Sequence, residues 1–453
     1  MFSNFFKKKL FLFNFHIKIF YLYILYLFTL IIFTYFYSIL ILKIHPIYIN
    51  DMKEMNFINL GWENNFIILN ILNHNEFKFN YLGIDFYSAK YPLLPATIAL
   101  IAKISKNFYF ILTVKNIIFF SILFWSIYFF VSNNIKNKRL IYFFIILISL
   151  HFNPYNFHVM SNFYFEDFAN AILLPSLYLL ILSKSNLLKK YLFIGLIISL
   201  LFLSKSSMTI FGIIFPIIYI IFSKKRVLAL IPFFMVMLVS INWSYYSFKK
   251  TGYYPFFTNN SSFNQAQLAL ALQEDFHKIY PFYSIDTIHN TKEILLDKNK
   301  YGFNEIKNEW EFNALFKVRN KQYIKDNFLR YFKDSFLKLN FIFFYPYQDG
   351  NGSDKNINNK ELKFSMIINK IFLIIGCFTL IFSIVKKIKV KEDMMNEISY
   401  LFILLLIIPI FLIGWATSKH LIGICNVSII YLFNYYFLKF RENSHASVTY
   451  LRP

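Results

Sequence analysis

Four short stretches carry the polar side chains that could do chemistry. "IHPIYINDMKEMNF" holds Asp51 and Glu54, and "SNFYFEDFANAILL" holds Glu166 and Asp167. "LFLSKSSMTIFGIIF" places one cation, Lys205, between two apolar stretches, and "GWATSKHLIGI" places Lys419 and His420 in the same kind of setting. A carboxylate near a reacting hydroxyl can act as a general base. Carboxylate oxygens can hold a divalent metal, and fixed cations stabilise a phosphate leaving group. Each group also has a plainer explanation. A lysine at a helix end can lift its amine into lipid headgroups, and an acid beside a membrane can be solvated polarity.

The elements that must position these residues are membrane helices. The chain has 453 residues and is 57% hydrophobic. Ile19 to Leu42 is a run of 24 residues without a charge, enough to cross a hydrocarbon core of ~30 Å. Similar runs recur, so the expected fold is an all-α polytopic membrane protein. The Lys7–Lys9 cluster before the first run is expected to make it a retained signal anchor. A net charge of +23 does not indicate nucleic acid, because the lysines and arginines stand mostly at the ends of apolar runs, as topology requires.

Basic clusters mark the cytoplasmic side. They are Lys7–Lys9, Lys136/Lys138/Arg139, Lys184/Lys189/Lys190, Lys224/Lys225/Arg226, Lys386/Lys387/Lys389/Lys391 and Lys439/Arg441. Spans fitted between them fall at 18–43, 109–132, 139–152, 168–183, 191–204, 208–222, 227–247, 365–385, 399–416 and 421–438. That is about ten crossings with both termini inside. The acids agree: seven lie within 51–167 and thirteen within 274–361, all exterior and none inside a span. The short apolar stretch 90–103 is expected to be an interfacial or re-entrant helix. Three regions result: residues 1–247, a transmembrane module with exterior loop 44–108; residues 248–364, an exterior segment with one or two amphipathic helices near 303–344; and residues 365–453, the last helices and a cytoplasmic tail. Charges are expected at span ends and not deep inside spans. Cys377 and Cys425 lie in apolar runs, which gives little support to a disulfide or a thiolate metal site.

Lys205, Lys419, His420 and both acid pairs therefore come from four loops on one face of the membrane. Glycine-rich nucleotide loops, HExxH and GxSxG are absent, so an activated substrate would have to supply the energy of any reaction. This layout resembles the GT-C class of polytopic glycosyltransferases, which includes protein O-mannosyltransferases and the aminoarabinose transferases of lipid A. The resemblance runs over residues 18–435. It lies in the acid after the first span, in Tyr91-Pro92-Leu93-Leu94-Pro95, in Glu166 before the fourth span, in "IGLIISLLFLSKSSM", and in "TSKHLIGICNVSIIYLF". Lys205 and Lys419-His420 stand where the family has arginine and Arg-Tyr, giving point charges in place of a bidentate fork.

The resemblance implies an inverting sugar transfer from a polyprenyl-phosphate donor at the periplasmic or outer face of a bacterial inner membrane. Asp51 would be the general base, with Glu54 as a secondary candidate. Glu166, Lys205, Lys419 and His420 would hold the donor phosphate, with Asp167 and Tyr91 as secondary candidates and a divalent metal (Mg or Mn) as a partner of the acids. The partners would be membrane lipid, the polyprenyl-linked sugar, and an acceptor glycan, lipid or protein of the cell envelope. Trp62, Tyr87 and Trp310 could stack on a sugar or anchor the interface. Two rivals remain: a polysaccharide polymerase or ligase, and a lipid or solute transporter. The first would prefer a more basic exterior segment than 17 Lys or Arg against 13 Asp or Glu in 248–364. The second would need ionisable groups deep in spans.

Overall fold

A helix stands over each of the ten apolar runs. In lipid a backbone must satisfy its own polar groups, and the helix does so within one segment. The computed structural model describes residues 2–40, 62–88, 90–135, 139–151, 156–157, 165–185, 187–223, 225–254, 294–343, 360–390, 394–413 and 421–438. The helices over the runs are α1 (Phe2–Leu40), α4 (Phe108–Asn134), α5 (Arg139–His151), α6 (Phe165–Leu182), α7 (Leu188–Phe202), α8 (Ser206–Phe222), α9 (Arg226–Thr251), α12 (Lys360–Val390), α13 (Met395–Ile413) and α14 (Ile422–Phe433). Four of them are long and apolar enough to cross a membrane, with apolar stretches Ile17–Ile39, Phe108–Asn134, Arg226–Thr251 and Phe364–Ile388. The rest are shorter.

Helix α6 is the centre of the bundle. It packs against α4, α7 and α14, and every residue from Asn170 to Ile181 is buried. The outer helices instead expose large apolar residues such as Phe28, Phe36, Leu238 and Phe378. Exposed apolar surface on this scale fits a bilayer, not water. Gly195 lets α7 close on α9: a Cβ there would lie 2.5 Å from Met235 Sδ and 3.1 Å from Pro232 Cα. Small residues at helix contacts serve this purpose in membranes.

The helix ends sort by charge. At one end Asn134 Nδ2 donates to the Leu182 carbonyl (2.8 Å), Lys184 N donates to Asn134 Oδ1 (2.9 Å), and Lys190 Nζ donates to the Ser183 carbonyl (2.6 Å). The basic residues of α9's start belong to that end too, because its other end, near Tyr246 and Thr251, meets Phe77 and Trp310.

The opposite end carries a small unit that departs from an all-α fold. Helix α2 (Trp62–His74) leads into an antiparallel hairpin of β1 (Phe79–Tyr81) and β2 (Ile84–Phe86). Leu82 and Gly83 both have positive φ, 52° and 82°, as a tight two-residue hairpin turn requires. Ile67, Phe79, Ile84 and Phe86 share a second core with Ile294, Phe312, Leu315 and Phe316. Residues 67–86 and 294–316, more than 200 positions apart in the sequence, thus pack together. Helix α3 (Leu93–Ile104) is the short apolar helix expected at 90–103; Leu94, Ile98 and Ala102 are buried while Leu100 and Ile104 are exposed. Two helices, α10 (Glu309–Asp326) and α11 (Phe328–Phe343), account for the amphipathic stretch.

Two lysines correct the expectation that charges avoid span interiors. Lys115 lies inside α4 at 0% exposure and Lys370 inside α12 at 3%. Helix α12 also pairs its Lys387 with Glu397 of α13 at 2.6 Å, both buried, with Ser383 Oγ donating to the same carboxylate at 2.7 Å.

Candidate functional site

The link between α7 and α8 is the best defined part of the site. Helix α7 ends at Phe202 with Leu203 as its C-cap, and Lys205 takes the N-cap position of α8 in extended conformation (φ −157°, ψ 146°) without a side-chain cap. A lysine offers no acceptor to the first amides of a helix, so capping does not account for this residue. The "YPLLP" segment is fastened to this link. Leu93 N donates to the Leu203 carbonyl at 3.0 Å, and the Tyr91 and Thr209 hydroxyls hydrogen-bond. Tyr91 is buried between Trp243 and Phe202, so it holds the loop in place and does not offer its ring to a ligand.

The start of α6 meets the same link. Glu166 and Asp167 occupy its first turn, where the helix dipole favours negative charge. One turn on, Asn170 Oδ1 accepts from Ser204 Oγ at 3.4 Å. Asn170 Nδ2 is buried and makes no hydrogen bond to a described residue. The start of α14 closes on the same turn. A Cβ at Gly423 would lie 2.6 Å from the Asn170 carbonyl oxygen and 2.9 Å from Leu174 Cδ1. Leu421, the residue after Lys419-His420, is buried there.

Four described segments thus meet at one end of the bundle: the 91–95 segment joins the Lys205 link, and the starts of α6 and α14 meet beside it. Asp51, Glu54, Lys419 and His420 themselves lie outside the described residues. The described residues alone hold no group of three His, Cys, Asp or Glu fit to bind a metal ion.

Polar residues that pattern reasoning passed over sit among these helices. Asn369 Nδ2 donates to Asn156 Oδ1 (3.0 Å), Asn156 Nδ2 to Asn426 Oδ1 (2.7 Å), and Asn426 Nδ2 to the Ala171 carbonyl (3.1 Å). All three asparagines are fully buried. Asn369 and Asn426 lie inside apolar runs, where an uncharged amide leaves no mark on a charge map, but their presence there was the available signal. Lys115 was visible in the same way, as a lysine well inside a span.

The hairpin unit is tied to α10 through Glu309, whose buried carboxylate accepts from Tyr87 N and Ser88 N (3.1 Å each) and from Ser88 Oγ (2.7 Å). Trp310 is engaged as well, donating from Nε1 to Thr251 Oγ1 at 3.1 Å. Lys78 and Lys250 both stand 5.8 Å from the Tyr87 ring centroid. Lys78 bridges Glu76 at 3.2 Å and Asp85 at 3.1 Å. Hydrogen bonds to Asp85 and then Glu76 raise the Lys78 ammonium above its ordinary value. Glu76 is lowered, chiefly by its hydrogen bond from Lys78. Burial pushes Asp85 up, but hydrogen bonds from Asn80 and Lys78 outweigh it and leave the carboxyl lowered.

No family model and no curated protein matches the sequence. Among solved structures the chain is similar to the archaeal oligosaccharyltransferase AglB from Archaeoglobus fulgidus, at 12% identity over 93% of this chain and 52% of that one, with a TM-score of 0.45. It is also similar to ArnT from Cupriavidus metallidurans, at 7% identity over 81% of this chain and 72% of that one, with a TM-score of 0.29. The chain spans about half the length of the AglB chain.

Proposed function

We propose that the chain is a membrane glycosyltransferase of about ten crossings that moves a sugar from a polyprenyl-phosphate donor to an acceptor at the outer face of a cell membrane. The observation that carries this reading is the convergence of the Tyr91 segment, the Lys205 link, the first turn of α6 and the start of α14. Four chain segments far apart in sequence bring a cation, two acids and the flank of Lys419-His420 to one end of a membrane bundle. A lipid phosphate anchored in the bilayer needs its cations at that depth.

In the reaction, Asp51 takes the proton of the acceptor hydroxyl as its oxygen bonds to the anomeric carbon. The bond from that carbon to the phosphate oxygen breaks, its electron pair leaves with the polyprenyl phosphate, and the anomeric configuration inverts. Lys205, Lys419 and His420 neutralise the charge that builds on the phosphate, and Glu166 helps to orient that end of the donor. Any divalent metal at the acids would add a further positive charge there.

The test is sugar transfer from a polyprenyl-phosphate donor by purified parent, Lys205→Gln and Lys205→Arg at equal folded amounts. A lost charge-assisted contact is worth ~1.5–3 kcal/mol, or about 10- to 150-fold in rate. The Gln variant should fall by that much and the Arg variant should keep much of the rate. A Gln variant as fast as the parent returns Lys205 to a headgroup-facing role. The buried lysines 115 and 370 favour a second reading, a lipid transporter. That reading predicts movement of polyprenyl phosphate across proteoliposomes without any sugar transfer.

A further inference from the structure

Helix α6, the centre of the bundle, carries a proline in its interior, Pro175. Proline has no backbone N–H, so the Ala171 carbonyl loses the amide that would close its helical turn. The next residue adds to the irregularity. Ser176 Oγ donates to the Ile172 carbonyl at 2.7 Å, a back-bond that bends helices. Within a membrane bundle, a carbonyl freed by proline is satisfied by a neighbouring helix.

Helix α14 does this. Asn426 Nδ2 donates to the Ala171 carbonyl at 3.1 Å. Gly423, three residues earlier, lies on the same face of α14 and lets the two backbones close. A Cβ there would lie 2.6 Å from the Asn170 carbonyl oxygen. The Asn426 amide is held in this orientation by further partners. A carbonyl only accepts, so Nδ2 of Asn426 faces Ala171 and its Oδ1 faces Asn156, at 2.7 Å from Asn156 Nδ2. Asn156 Nδ2 also donates to the Leu150 carbonyl of α5 at 3.0 Å. That leaves Asn156 Oδ1 to accept from Asn369 Nδ2 of α12 at 3.0 Å. Every amide in the chain is buried.

Residues 165–174 of α6 stand ahead of the proline. They include Glu166, Asp167 and Asn170, and Asn170 meets Ser204 beside Lys205. Helix α14 meets them with the first turns that follow Lys419-His420.

We infer that Pro175 and Asn426 form one joint, which sets how the first turns of α6 stand against the Lys205 link and α14. Pro175 frees the carbonyl, Asn426 takes it, and Asn156 with Asn369 ties the grip to α5 and α12. Asn426 is thereby a positioning residue for the proposed reaction. Only this last consequence rests on the proposed function; the joint stands apart from it.

The experiment is a cycle on the full-length protein with Pro175→Ala, Asn426→Leu and the combined variant. The equilibrium of unfolding is read in mixed micelles, and donor KM and kcat are read for polyprenyl-phosphate sugar. Leucine is close to asparagine in shape and cannot donate. Pro175→Ala returns an N–H to the Ala171 carbonyl, so the Asn426 amide is no longer needed there. Asn426→Leu should therefore raise the unfolding constant about 3- to 20-fold more in the parent than in the Pro175→Ala background. Asn426→Ala, which removes the donor without adding volume, is read in parallel and should show the same difference, so a Leu variant that does not fold leaves the cycle intact. At equal folded amount Asn426→Leu should lower kcat about tenfold and change donor KM less than twofold, since misplaced groups cost rate. Added to Pro175→Ala it should lower kcat no further. Equal shifts of unfolding in both backgrounds overturn the joint, and a kcat equal to the parent's overturns the positioning role. A parent that transfers no sugar refutes the proposed function, and the unfolding cycle still decides the joint.

Discussion

Removal of Glu309 should open the hairpin unit while leaving the membrane bundle closed. Its carboxylate is fully buried and accepts from two backbone amides and one hydroxyl. In Glu309→Ala those donors lose a charged acceptor, and a buried unsatisfied donor costs ~1–3 kcal/mol. With Ser88 fully buried and Tyr87 partly so, the total is about 3–5 kcal/mol. Glu309→Gln keeps a carbonyl oxygen for the amides and loses the charge, so its cost is about 1–3 kcal/mol. Hydrogen exchange reads this locally, because segments open with their own free energies. At 1.36 kcal/mol per tenfold, amides of residues 79–88 should exchange about 150- to 5,000-fold faster in Glu309→Ala. They should exchange about 5- to 150-fold faster in Glu309→Gln. Amides of 170–181 in α6 should be unaffected, since the second core and the bundle core are distinct. Unchanged exchange at Tyr87 and Ser88 in Glu309→Ala would show that the hairpin does not depend on this carboxylate, and the reasoning would fail.

Further expectations concern the site and its frame. Asp51→Asn should insert and fold normally and lose sugar transfer by ~10²–10⁴-fold, with Glu54→Gln as the active control; an inactive Glu54→Gln beside an active Asp51→Asn would move the base by one turn. Gly423→Ala should destabilise the bundle by about 1–3 kcal/mol, because the new methyl meets the backbone carbonyl of Asn170 and not a movable side chain; thermal unfolding matching the parent would contradict the close approach. The hairpin unit should lose stability in acid. Glu76 and Asp85 are depressed below their ordinary values of 4.5 and 3.8, so their contribution is present above those values and is lost as pH falls through the lowered ones. Exchange at the hairpin measured from pH 6 down to pH 2 checks this, and Lys78→Met should remove most of the dependence. Ser353→Cys should react with an impermeant thiol reagent in intact cells; reaction only after permeabilisation would invert the topology.

The class of fold was legible in the chain before any packing was known. Membrane helices satisfy their own hydrogen bonds and announce themselves as long, mostly apolar runs with basic clusters at many of their ends. The runs at 109–132 and 227–247 therefore match Phe108–Asn134 and Arg226–Thr251 within a few residues, whereas the first helix begins at Phe2, well before its run. Glu166, Lys205 and Tyr91 also stood out, because a charge or a proline-flanked aromatic at a span end breaks a simple pattern. What those residues meet depends on packing. Tyr91 reads as a candidate ligand in sequence, yet its neighbours turn it into a buried anchor on Trp243 and Thr209. The hairpin at 79–86 is too short to stand out and gains its stability from Phe312 and Leu315, more than 200 residues away in the chain. Glu309, one acid among thirteen in residues 248–364, becomes the clamp between α10 and the hairpin unit only when Ser88 arrives. The partners of the Asn156–Asn369–Asn426 chain were hidden for the same reason. Burial of a polar group inside a bundle is tolerable only when its partners come from other helices, and one-dimensional patterns of hydropathy carry no information about which helices those are.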